Sequence, residues 1–141
     1  MPRVKTLPLT TLLLDRAKLP LRADDRLEHL LERFRVVFMA ARVRQGLAQL
    51  QRGNLVLWVR DGLLESLELT SSLHHEVSDL VNWGDFDIHT DDILAWCAQQ
   101  GIPLRVLHEE DTSQIYQTPS GALIALQDQR LWNITLSVSV I

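Results

Sequence analysis

The stretch from Asp24 to Gly53 limits what this chain can become more than any other. Set out at about 100° per residue, Leu27, Leu30, Leu31, Phe34, Val37, Phe38 and Ala41 share one face, and Val36, Met39, Val43, Leu47 and Leu50 fall opposite. Arg35 with Arg42, and Arg33 with Arg44, mark two polar edges between them. Asp24 or Asp25 suits the cap that starts such a helix, and Gly53-Asn54 suits its stop. The spacing therefore predicts one long helix ending near Arg52. A surface helix needs a single apolar stripe; two stripes require cover on both sides. Either later elements of the same chain provide it, or another molecule does. Val36, Met39, Val43, Leu47 and Leu50 become the candidate interface, with a homo-oligomer or another protein partner as the expected assembly.

The elements around this segment point to α/β architecture. Residues 3–14 read as a strand ending at Asp15. The run Leu55 to Arg60 has no alternation, which suits a strand buried on both faces of a parallel sheet. Residues 63–82 read as one or two short helices, and Asp85 to His89 as a short extended piece. Thr90-Asp91-Asp92 suits a helix start, with Gly101 closing that helix and Ile102 to Leu107 forming the next strand. Helix, glycine and apolar strand in that order are the returning half of a right-handed crossover. Residues 114–117, 122–126 and 130–140 read as strands, the last alternating so that one face is covered and the other largely polar. The expectation is a single α/β domain over 1–141, with a mixed, largely parallel sheet flanked by helices and C-terminal antiparallel strands.

Composition narrows the function classes. With 141 residues the chain suits one domain. Fourteen basic against 18 acidic residues give a net charge of −4, which argues against a dedicated nucleic-acid binder. No apolar run reaches the ~18 residues of a membrane span. Arg3 and Lys5 before Leu7 to Leu14 mimic a secretory signal, but Pro8, Thr10 and Thr11 interrupt the run and no small-residue cleavage site follows. Cys97 is the single cysteine, so no internal disulfide forms and a reducing compartment fits. The reading is a soluble, cytoplasmic protein without a membrane partner.

Candidate chemistry is sparse. Asp15, Asp61 and Glu109-Glu110-Asp111 stand at strand ends, where a parallel sheet would gather them into oxygen ligands for a divalent metal. Capping of turns explains the same acids without a metal. Asp85, Asp87 and His89 would share one face of an extended segment, as metal ligands or as a carboxylate orienting a histidine base. His75 and Asp79 would lie one turn apart on a helix, near a zinc-protease spelling that lacks its second histidine. Cys97 and His89 are the candidate catalytic groups, though a buried inert thiol is the common fate of such a cysteine. No Gly-rich phosphate loop, nucleophile elbow or Cys-x-x-Cys pair occurs. No cofactor is called for beyond a divalent metal, and no motif decides whether the chain is an enzyme.

The helix ending at Gly53, the strand Leu55 to Arg60 with Asp61-Gly62-Leu63, the stretch Glu68 to Ser72 and the run Leu94 to Leu107 together resemble the DsrE-like sulfur-relay family (the TusBCD type) over roughly residues 8–110. The resemblance implies a small oligomeric α/β chain. Active members carry a cysteine after the strand matching 102–107, where this chain has His108-Glu109-Glu110, and Cys97 precedes that strand. It therefore implies a non-catalytic accessory subunit or a diverged member, with no persulfide role carried over to Cys97. The expected function is a non-enzymatic oligomeric module that binds a protein partner. The alternative is a metal-dependent hydrolase or nuclease using the acidic residues.

Overall fold

The computed structural model describes residues 6–72 and 75–138. Its centre is an eight-stranded sheet. In chain order the elements are β1 (Leu7–Pro8), α1 (Leu9–Leu14), a single 3-10 turn at Arg16–Lys18, α2 (Leu27–Phe34), β2 (Met39–Arg44), β3 (Leu47–Arg52), β4 (Leu55–Arg60) and β5 (Leu63–Thr70). They continue with β6 (Val81–Asn82), α3 (Ile93–Gln100), β7 (Arg105–Glu109), β8 (Ser113–Gln117), β9 (Leu123–Gln127) and β10 (Arg130–Ser137). The strands lie in the order β2-β3-β4-β5-β10-β9-β8-β7, and every neighbouring pair is antiparallel. Two four-stranded meanders thus meet along β5 and β10.

This overturns the largely parallel α/β expectation. Parallel pairing is confined to β1 and β6, where Leu7 faces Val81 and Pro8 faces Asn82. The C-terminal half of the expected long helix is a β-hairpin. Helix α2 stops after Phe34, because Arg35 takes a left-handed conformation (φ 54°). Residues 39–52 then form the β2–β3 hairpin, turning at Gln45-Gly46, where Gly46 has φ 79°. Residues 63–70, expected as helix, are β5. The segment 85–89 contains no strand, and 9–14, expected as strand, is helical. Leu, Ala, Gln and Arg are good helix formers, yet tertiary pairing outweighs their local preference.

Side-chain alternation follows from the antiparallel pleat. Leu55, Leu69, Ile134, Ile124 and Tyr116 stand opposite one another across five strands. Leu50, Leu57, Leu67 and Leu136 form a parallel row. Leu9, Leu12 and Leu13 of α1, Leu30 and Phe34 of α2, and Ile93, Trp96 and Cys97 of α3 join these rows in one buried cluster. Each fully buried Leu contributes about 1.5–3 kcal/mol. The opposite face is largely polar: Gln51, Val56, Glu68, Thr135, Leu123 and Gln117 follow one another across it. There the Trp58 indole N–H and the Asn133 amide donate to Glu68, at 3.3 and 3.0 Å.

Polar ties lock the ends. Asp25 is buried and accepts from both Arg33 nitrogens, at 2.6 and 2.8 Å, and from the Arg22 amide at 2.8 Å. Buried Asn54 donates to the Thr70 carbonyl and accepts from the Ser78 amide. Beside it Gly53 (φ 60°) could bear no side chain, since a Cβ would stand 2.5 Å from the Glu76 carbonyl oxygen. Burial alone would raise the Asp25 carboxyl, but the Arg33 and Arg22 hydrogen bonds, with the Arg33 and His29 charges, outweigh it and hold the group below its usual value. The carboxylate's stabilisation is therefore complete above the unfolded pKa of about 3.9 and lost as pH falls through the lower folded value. Asp25→Asn should cost about 2–3 kcal/mol at pH 7. In urea unfolding, the gap to wild type should narrow near pH 3; a constant gap would refute the assignment.

Candidate functional site

The hairpin that replaces the long helix forms one exposed edge of the sheet, as β7 forms the other. Strand β2 is an edge of the sheet, and each of its residues is exposed. Apolar side chains populate it: Val37 just before it is 81% exposed, Met39 73% and Val43 50%. Interspersed with them, Arg35, Arg42 and Arg44 are exposed, and no carboxylate of the described residues lies within 4.0 Å of them. The pairing shifts between Arg42, opposite Ala48, and Arg44, opposite Leu47. Ala48 and Leu47 are consecutive and point to opposite faces, so the bulge at Val43 sends the two guanidinium groups to either side of the edge. The base of β2 is anchored by Arg52, which donates to the Val37 carbonyl and pairs bidentately with Asp79 at 2.6 and 2.7 Å.

The interface residues named from helical spacing divide on this hairpin. Met39 and Val43 lie on the exposed edge, Val36 and Leu47 are half-buried, and Leu50 is in the core. The helix that linked them is absent, and strand alternation separates them instead.

A second feature is a cleft of about 1390 Å³ between the start of α3 and the β8–β9–β10 end of the sheet. Ile88, Ile93 and Leu126 form its buried floor, with His89, Asp91, Asp92, Arg130 and Trp132 on its rim. Trp132 sits at a bulge in β10 and is 63% exposed. The rim carboxylates already hold backbone: Asp91 accepts from the Asp87 amide at 2.9 Å, and Asp92 from the Leu94 and Ala95 amides at 2.9 and 3.3 Å. The nearby Ser71 hydroxyl donates to the Leu131 carbonyl. None of these contacts pairs a nucleophile with a base.

The acids named as metal candidates are dispersed. Asp15 accepts from the Ala17 amide in the turn after α1. Asp61 occupies the β4–β5 turn with φ 50°. Asp85 accepts from the Trp96 indole at 3.0 Å, and Asp87 accepts from the His89 amide at 2.9 Å. That backbone bond, first among the causes, holds the Asp87 carboxyl below its ordinary value. Because 85–89 turns rather than extends, Asp85, Asp87 and His89 do not share one face. Among the described residues, no three His, Cys, Asp or Glu side chains converge as a metal site. Glu109, Glu110 and Asp111 are exposed at the end of β7, with His108 3.4 Å from Glu110. His75 accepts from the Gln51 amide and lies on no helix; His74 lies outside the described residues.

Comparison with protein-family models, with curated proteins and with solved structures finds no match to this chain. No helix of the described residues is long and apolar enough to cross a membrane.

Cys97 is fully buried on α3, and burial pushes its thiol up to about 11. The thiolate is the reactive form, so near pH 8 it is both scarce and inaccessible. Folded protein should resist iodoacetamide at that pH and react once unfolded in urea, as mass spectrometry will show. Rapid labelling of the folded state would contradict this burial.

Proposed function

We propose that this chain is a protein-interaction module that receives an extended segment of a partner along β2. One observation carries the reading: an edge strand exposed throughout, with Met39 and Val43 projecting along a side that no other strand of the described residues pairs. Free edges template further pairing, and folds blunt them with charge, bulges or cover. Here the arginines and the Val43 bulge discourage indiscriminate pairing, while the apolar side chains favour a matched strand. The dispersed carboxylates give no support to a metal-dependent hydrolase or nuclease. The narrower role of sulfur-relay accessory subunit draws none from an antiparallel sheet with a buried Cys97. A homo-oligomer is one form of the reading, in which the added strand is β2 of a second copy.

A photo-crosslinking side chain placed at Met39 or at Val43 should yield the same discrete adduct in the native cell. One placed at Val106, on the opposite edge strand β7, should not. Val43→Pro, which puts a ring on the edge, should abolish the Met39 adduct while far-UV circular dichroism stays unchanged. Adducts of equal yield from all three positions, or from none, would defeat the reading. The adduct's mass distinguishes a second copy from a different protein.

A further inference from the structure

Resting on that reading, we infer that the segment received by β2 is acidic and belongs to a different protein, not to a second copy of this chain. Charge is the first ground. The whole chain carries a net charge of −4, yet Arg42 and Arg44 place two cations on one edge strand, without a carboxylate of the described residues within 4.0 Å. A strand bearing Asp or Glu satisfies them at the moment of pairing, and cross-strand opposite charges stabilise where like charges repel. The Val43 bulge sends Arg42 and Arg44 to opposite faces, so the acids of the incoming strand are required on both of its faces. Adjacent acidic residues meet that requirement, because neighbours on a strand alternate sides.

In the antiparallel sense that continues the sheet, neither self-pairing sets acids beside Arg42 and Arg44. All seven neighbouring pairs of the eight strands are antiparallel, so β2 and β7 run in opposite directions. Continuing the sheet with β7 of a second copy would bring its Arg105 end beside Arg44, and its Glu109 end beside Met39. Pairing β2 with β2 of a second copy doubles the arginines at the junction. Both arrangements concentrate positive charge where a complementary strand neutralises it.

Three synthetic peptides of one length test the inference. They share an alternating Val-Thr centre and are flanked by Asp-Glu, by Ser-Ser or by Lys-Lys. Fluorescence anisotropy at low salt should rank them acidic, then serine, then lysine, with about tenfold or more between the first two. Salt near 0.5 M should shrink that difference, since it screens exposed charges. Amide shifts in the wild-type protein should map to β2, and R42E/R44E should reverse the order of the acidic and lysine peptides. Equal affinities of the acidic and serine peptides, with shifts still on β2, would overturn the acidic partner and leave strand addition standing. No binding by any peptide, or shifts confined elsewhere, would overturn strand addition as well. A dimeric mass for the free protein, dissociating in R42E/R44E, would overturn the exclusion of a second copy.

Discussion

The pairing of β5 with β10 holds the molecule together as one body. Ser66 to Thr70 stand opposite Ser137 to Asn133, and these are the residues through which the β2–β5 meander and the β7–β10 meander become a single sheet. Each meander closes through short local turns, which cost little loop entropy. The seam between them joins positions more than 60 residues apart and can form only after both partners exist. It also completes the rows Leu55-Leu69-Ile134-Ile124 and Leu50-Leu57-Leu67-Leu136, against which three short helices bury their apolar sides. Among the described residues no helix exceeds eight residues, so none would persist without that surface.

The C-terminal half is the more legible from sequence. Strands 113–117, 123–127 and 130–137 and the stop of α3 at Gly101 fall within a few residues of expectation, because turn residues bound each element and alternation in the last strand points the same way. In the N-terminal half the signals conflict. Met39 to Arg52 is rich in Ala, Gln, Leu and Arg, whose helical preference and spacing mimic a two-striped helix. Gly46 is the contrary sign: the residue that a helix merely tolerates is here the hairpin turn. Asp61-Gly62 between two apolar runs is a strong hairpin signal. The lack of alternation from Leu55 to Val59 masks it, by suggesting the rim of a parallel sheet. Val56 explains that run: it lies on the polar face, outside the main core, and is buried all the same.

The surface features have mixed legibility. Helical spacing marks Met39 and Val43 as apolar groups in need of cover, and they do lack it among the described residues, but on an edge strand and not on a rod. A sequence pattern shows which apolar side chains have no evident partner; it does not show the backbone that presents them. Trp132 is hidden because an alternating strand assigns it a regular place, and the bulge beside it leaves no trace in residue spacing. The acids at turns are legible as caps, and Asp15, Asp87, Asp91 and Asp92 all bind nearby backbone amides.

Helix α1 has a consequence for synthesis on the ribosome. Its last carbonyls, of Leu12 and Leu13, are satisfied by the hydroxyl and amide of Ser120, at 2.6 and 3.1 Å. Chain growth delivers this six-residue helix long before the loop that receives it. Leu9, Leu12 and Leu13 therefore lack this partner until more than 100 further residues have been made. A part of the core made well before its docking site leaves apolar groups exposed in the nascent chain, which favours aggregation during that interval.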